Sequence, residues 1–411
     1  MATVSDKALI LSFEDARRVV EEHSTRVRPG TIETVELLTG VGRVLAEPIH
    51  ADRNFPPFAR AARDGYAVRA ADLSSLPARL KVVAEIKAGA APEELPAKIE
   101  SGQAAAIMTG APAPDGADAV VMVEYTTMNE QTVEVTRGLI AGENIVAAGS
   151  EAQKDALLLS PGVSIDQAAI AVLASVGKPQ VSVYARPKIA VLATGDEIVA
   201  VDAVPGTNQI RNSNSYSLAA QIVAAGAEPV ILPVAPDERQ RLRELIEEGL
   251  RADLLLLAGG VSMGKYDLVE QVLGEMNADF FFTGAQIQPG RPIVFGRVRG
   301  KYFFGLPGNP VSTMVTFELF ARPMIEALMG SIPQKLVFLR AKLKTEIRTK
   351  MGLKRFLPAI VSGEFEQVEV ELAKWHGSGD VAATARANCY VVIPPDRERI
   401  PAGEWVPVLK R

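Results

Sequence analysis

Soft metal ligands are scarce in this chain of 411 residues: one cysteine, Cys389, and three scattered histidines, His23, His50 and His376. A lone thiol excludes an intramolecular disulfide, and so few dispersed imidazoles fit poorly with a zinc site of nitrogen and sulfur ligands. Any bound metal is expected to be hard and oxygen-liganded, with Mg²⁺ the first candidate. Aromatics make up only 6%, and a formal net charge of -5 leaves no basic footprint for nucleic acid. Long apolar runs are also missing. The stretches 254–258 and 280–282 fall far below the roughly 20 residues needed to cross a bilayer, so no membrane role is expected. The opening residues 1–7 have no apolar export core, which makes a reducing cytoplasm the expected location.

What is present is enough apolar residue, 48%, to bury several cores, and the length points to two to four domains. Ser12 followed by Asp15, with Phe13, Ala16, Val19 and Val20 on one stripe, predicts a capped amphipathic helix. Residues 31–37 alternate as a strand. Short strands at 80–84 and 119–123, punctuated by Pro112, Pro114 and Gly116, mark a β-rich module over 51–144. A helix over 165–176, ended by Gly177, then returns the chain to its first domain, so 1–50 and 145–183 read as one discontinuous unit around an insertion. From Lys188 strand and helix alternate: 189–193, 215–225, 229–232, 238–250 and 254–257. That rhythm predicts a doubly wound α/β domain over 184–329. The remaining 330–411 alternates again at 337–339, 367–372 and 391–393, as a small C-terminal β-barrel would. The fold class is therefore α/β and multidomain, with a doubly wound mixed sheet, β-rich modules and a terminal barrel.

The most informative stretch is 253–267, where Leu254-Leu255-Leu256-Leu257-Ala258 runs into Gly259-Gly260-Val261-Ser262-Met263-Gly264-Lys265-Tyr266-Asp267. A buried strand that opens through glycines into a helix brings backbone N–H groups against a ligand and favours an anion. The segment 259–265 also fits the front of a nucleotide P-loop. Tyr266 stands where a small hydroxyl should meet Mg²⁺, which argues against an ATPase. In a doubly wound sheet ligands lie beyond the carboxyl ends of the strands. Thr194-Gly195-Asp196-Glu197, the glycine loop and Leu306-Pro307-Gly308-Asn309-Pro310 are therefore expected on one rim. A cation held by rim acids would offset their repulsion of a phosphorylated ligand, although Asp196 and Glu197 also suit a simple turn cap. Asp237, ahead of the helix at 238, reads as its N-cap. In the β-rich module the turns Arg63-Asp64-Gly65-Tyr66 and Met108-Thr109-Gly110 present an acid and a hydroxyl, each equally at home in an ordinary turn.

Taken in order, Asp64-Gly65-Tyr66-Ala67-Val68, Met108-Thr109-Gly110-Ala111-Pro112, Gly116-Ala117-Asp118, Thr194-Gly195-Asp196-Glu197, Gly259-Gly260-Val261-Ser262, Pro289-Gly290-Arg291-Pro292 and Pro307-Gly308-Asn309-Pro310 are landmarks of a family. The chain resembles the molybdopterin molybdenumtransferases, the family of bacterial MoeA and the gephyrin E domain, over nearly its whole length. That resemblance implies four domains and a homodimer whose site joins the α/β domain of one copy to the β-rich module of the other. It implies insertion of molybdate into adenylylated molybdopterin with release of AMP and help from Mg²⁺. A molybdopterin adenylyltransferase is the implied partner enzyme. By the same resemblance Asp64, Thr109, Glu197 and Asp267 are catalytic, with Glu197 and Asp267 at the metal. Gly259, Gly260, Ser262, Gly264, Pro307, Gly308 and Asn309 hold the pterin's phosphate, and Asp237, Pro289, Arg291 and Ser378 line the site.

The departures concern charge. Ala59-Arg60-Ala61-Ala62-Arg63 replaces a polar stretch, no basic residue stands at 146–148, and Gly284 and Gln288 occupy positions where lysines are expected. A charged hydrogen bond to an oxyanion contributes on the order of 1.5–3 kcal/mol, so losing several weakens binding by orders of magnitude unless Arg60, Arg63 or Arg291 compensates. The alternatives are a pterin-binding scaffold without turnover, or molybdopterin adenylylation, whose enzymes share the glycine loop but are shorter. Tungstate in place of molybdate stays open.

Overall fold

A computed structural model of the chain describes residues 9–260 and 268–411. The central sheet has six strands in the order Glu228–Ile231, Lys188–Ala193, Leu254–Ala258, Lys301–Leu306, Val294–Val298 and Asp279–Phe282. The first four run parallel, and Val294–Val298 pairs antiparallel with both of its neighbours. Leu254–Ala258 is apolar throughout because each face of the strand is covered. Leu254 and Leu256 join the cluster that includes Leu218 and Ile222 of helix Ser213–Ala224. Leu255 and Leu257 join the opposite cluster with Leu242 and Ile246 of helix Arg239–Gly249 and Val269 and Val272 of helix Leu268–Glu275.

Helix Phe13–Ser24 starts as its sequence requires, with the Asp15 N–H donating to Ser12 Oγ at 3.0 Å. Its buried Phe13, Ala16 and Val20 enter the core of the α/β domain, where Phe13 sits 5.2 Å from the Phe356 ring and 6.1 Å from Phe320. This helix falls within the 1–50 segment of the sequence but shares its apolar cluster with the central sheet. Two antiparallel pairings join the first segment to the chain after the β-rich module, Ile32–Glu36 with Gln180–Tyr184 and Ile49–His50 with Leu157–Leu159, and a third, Arg60–Ala61 with Ile145–Val146, ties the start of the module to the chain that leaves it. Helix Gln167–Ser175 is capped by Asp166, whose Oδ1 accepts from Ala168 and Ala169.

Between these pairings lies a six-stranded sheet in the order Ala119–Met122, Gly65–Val68, Gln103–Ile107, Ala78–Ile86, Thr132–Val135 and Thr126–Asn129. Gly65 is required there, since a Cβ would stand 1.7 Å from the Val121 carbonyl oxygen on the adjacent strand. At the C-terminal end, Lys354–Ser362, Glu369–Leu372, Phe338–Leu343, Trp405–Lys410 and Cys389–Ile393 form a sheet that closes on itself by pairing the first strand with the last, making a five-stranded barrel. Ile287–Gln288, from the α/β domain, adds in parallel to the barrel strand Lys354–Ser362. Among the described residues no helix is long and apolar enough to cross a membrane.

Candidate active site at the sheet rim

Because Lys188–Ala193, Leu254–Ala258 and Lys301–Leu306 are adjacent and parallel, their carboxyl ends converge. The Thr194 N–H donates to the Ala258 carbonyl at 3.2 Å and the Gly259 N–H to the Leu306 carbonyl at 3.1 Å, which locks the three exits side by side. Gly259 and Gly260 have φ of 97° and 66°, and a Cβ on either would press on Thr194, 2.9 Å from its carbonyl oxygen or 2.8 Å from Oγ1. A Cβ on Gly308 would lie 3.6 Å from the Gly259 Cα, so the Pro307-Gly308 turn touches the glycine segment. The expected rim is thus assembled from Gly259, Gly260, Pro307, Gly308 and Asn309. Ser262, Gly264 and Asp267 lie outside the described residues.

The acids gather at one end of this rim. Asp196 Oδ1 accepts the Asp237 N–H at 3.0 Å. Partial desolvation, then the charges of Asp196 and Glu197, hold the Asp237 carboxyl above the usual aspartate value. Asp237 is not the helix cap expected of it. The helix begins at Arg239 with Glu238 in the cap position, making no side-chain cap bond, because the preceding backbone is held by Asp196 and the side chain faces the other acids. These oxygen donors suit a hard cation. Among the described residues, however, no group of three such side chains is arranged to hold a metal.

Thr194 was expected on the rim as part of Thr194-Gly195-Asp196-Glu197, whereas Asn214 and Ser215, in the first turn of helix Ser213–Ala224, were not singled out from sequence. Thr194 Oγ1, Asn214 Oδ1 and Ser215 Oγ are buried and have no hydrogen-bond partner among the described residues, on side chains 5%, 7% and 0% exposed. Asn214 is aimed at the site, since its Nδ2 donates to the Gly308 carbonyl at 2.7 Å. In Asn212-Ser213-Asn214-Ser215 only the cap is visible in sequence, and Asn212 does cap the helix, its Oδ1 accepting from the Ser215 N–H at 3.1 Å. Unsatisfied polar groups at such depth are rare, and each calls for a partner.

Other elements border the rim. The Ser378 carbonyl accepts the Val311 N–H at 3.0 Å, which sets the 377–379 loop of the barrel domain against the start of helix Pro310–Thr316. Gly290, with φ 100° and room for no Cβ against Thr316, seats the Pro289-Gly290-Arg291 turn on the same helix. Arg291 is exposed and makes no ion pair among the described residues.

Asp64 and Thr109 meet each other. Asp64 Oδ1 accepts from both the N–H and the hydroxyl of Thr109, at 2.6 and 2.8 Å, and these bonds hold the Asp64 carboxyl below its usual value. Among the described residues no hydrogen bond or ion pair joins this turn to the rim of the same chain. Of the extra cations, Arg60 is committed to Glu151 at 3.0 Å, whereas Arg63 is exposed without an ion pair among the described residues. A lysine at 284 would displace core, because a Cβ on buried Gly284 already lies 3.0 Å from Ile10 Cγ1.

Three family models match in succession: the MoeA N-terminal region (domain I and II) over residues 11–177, a "Probable molybdopterin binding domain" over 190–327, and the MoeA C-terminal region (domain IV) over 340–410. A molybdopterin molybdenumtransferase of Nostoc sp. is 34% identical over 92% of this chain and 88% of its own length. The chain belongs to the MoeA family. Its Bacillus subtilis member, also named a molybdopterin molybdenumtransferase, is 34% identical over 93% of this chain and 90% of that protein. The crystal structure of a molybdopterin biosynthesis MoeA protein from Pyrococcus horikoshii covers 98% of this chain and 100% of the other, with a TM-score of 0.78 at 28% identity. MoeA membership therefore extends over the β-rich module, the α/β rim and the closed barrel together.

Proposed function

We propose that this chain is an enzyme of molybdenum cofactor biosynthesis that inserts molybdate into adenylylated molybdopterin and releases AMP. The observation that carries the reading is the pair of buried polar atoms, Thr194 Oγ1 and Asn214 Oδ1, that have no partner among the described residues and border a glycine-opened rim with three carboxylates near it. A ligand with phosphate and hydroxyl groups supplies the missing partners, and the glycine backbone lets it approach closely. Mg²⁺ is the cation whose oxygen preference suits Glu197 and Asp267, and when bound it would neutralise charge between these acids and the adenylyl phosphate. Asp237, which holds its proton more tightly than an ordinary aspartate, would be the rim acid able to donate one proton to a substrate oxygen.

The working unit is a homodimer in the cytoplasm, with Asp64 and Thr109 of one copy facing the rim of the other. What supports this is the Asp64–Thr109 pair itself, an oriented anion and hydroxyl with no ligand-binding neighbour of their own module bonded to them among the described residues. Purified protein given adenylylated molybdopterin, molybdate and Mg²⁺ should release AMP, and Asp64→Ala and Glu197→Ala should each abolish release. Mixing the two variants should restore roughly a quarter of wild-type activity, because half the dimers are then mixed and each has one intact site. Absence of AMP from wild type under every metal condition rejects the enzyme, and failure of the mixture rejects the shared site. The commitment of Arg60 to Glu151 and the packing at Gly284 favour a second reading, a pterin-binding scaffold. Pterin binding without AMP release would establish it.

A further inference from the structure

Among the described residues three arginines are buried, and two have carboxylate partners: Arg17 pairs with Glu21 at 2.8 Å and Arg43 with Glu33. Arg355, 7% exposed, has none. Its Nη2 donates to the Lys350 carbonyl at 2.6 Å, and its Nε is buried without a partner among the described residues. Burial alone lowers its pKa, with no acid nearby to oppose the shift. Arg355 lies on strand Lys354–Ser362 between Gln288 and Ile393, in register with both. Lys354 and Phe356 turn towards the α/β core, the former over the Phe13 ring. Arg355 therefore shares the opposite face with Leu357 and Ala359 of the barrel interior.

A covered guanidinium without a counter-charge is costly, and replacing it with an apolar side chain would ordinarily be neutral or stabilising. Its planar fork of donors matches an oxyanion, and a parallel register partner projects to the same side, so Gln288 can add an amide donor. We propose that Arg355, flanked by Gln288, is an oxyanion site at the end of the barrel, taking a small tetrahedral oxyanion either free or as the phosphoryl group of a nucleotide. Arg355 lies on the barrel-interior face, and Gln288 leads into the Pro289-Gly290-Arg291 turn that borders the rim; the existence of the site does not depend on molybdenum insertion.

The test is thermal melting and equilibrium binding of the full chain with molybdate, inorganic phosphate, sulfate or AMP, each against chloride at equal ionic strength. Wild type should be stabilised by at least one of these probes. Arg355→Met should fold with an unchanged or higher melting temperature and bind that probe tenfold or more weakly, while Arg355→Lys should fall between. Stabilisation by AMP alone identifies a phosphoryl ligand, and stabilisation by the inorganic ions identifies a free one. No anion-specific effect on wild type, or an effect that is undiminished in Arg355→Met, overturns the site. Should Arg355→Met fail to fold, Arg355→Lys decides, since wild-type affinity in that variant is equally contrary. AMP release measured in parallel keeps this result distinct from the fate of the rim.

Discussion

Replacing Thr194 by valine should move stability and binding in opposite directions. The side chain is 5% exposed, and its Oγ1 is buried without a hydrogen-bond partner among the described residues. Leaving such a hydroxyl unpaired costs about 1–3 kcal/mol. Valine fills nearly the same space with a methyl group, so ligand-free Thr194→Val should gain a similar amount. In a domain of this size that corresponds to roughly 2–4 °C in Tm for each kcal/mol. With substrate the sign reverses, because the variant cannot make the bond that the hydroxyl makes to the ligand. A loss of the same size raises KM by roughly fivefold to a hundredfold. Thr194→Ser, which keeps the hydroxyl, should hold KM near wild type. Differential scanning calorimetry without substrate and steady-state AMP release read the two effects. A Thr194→Val protein that melts lower and keeps its KM would refute the argument that the rim stores unsatisfied polar groups for a ligand.

Other consequences follow from the same geometry. Asp237 has its pKa raised by partial desolvation and by Asp196 and Glu197, so its protonated form favours the fold. That contribution is complete below the ordinary aspartate value of 3.8 and is lost as pH rises through the folded value. Asp237→Asn should accordingly raise Tm at neutral pH, and the gain should vanish on acidification; a difference that stays constant with pH would contradict it. Gly65→Ala puts a methyl group on the Val121 carbonyl and should cost about 3 kcal/mol in urea unfolding, with loss of AMP release as Asp64 shifts. Phe13→Ala removes a ring packed on Phe320 and Phe356 and should cost roughly 3–5 kcal/mol, exposing the first helix to limited proteolysis. Equal protease resistance in that variant would show that the helix is not held by this contact.

Much of the molecule could be read without coordinates where local pattern controls it. Ser12 and the stripe Phe13, Ala16 and Val20 place the start of the first helix, and the run Leu254–Ala258 is buried as its composition demands. The rim loops were identifiable because glycine is the residue that tolerates their backbone, as Gly259 and Gly260 show. Asp237 was misread because Asp237-Glu238 offers two acids ahead of a helix, and the choice between them depends on Asp196, 41 residues away in sequence. That atoms of Arg355, Thr194, Asn214 and Ser215 have no partner among the described residues carries no sequence signal, since a donor or acceptor is unpaired only with respect to everything packed around it.

Periodicity and turn chemistry, which act over a few residues, determined by themselves which segments became strands, helices and glycine turns, and in what order. Which strands became neighbours, how the last sheet closed into a barrel, and which buried polar atoms were left without partners were decided in three dimensions. Burial and hydrogen-bond satisfaction depend on atoms brought together from segments far apart along the chain, and only the folded packing sets those distances.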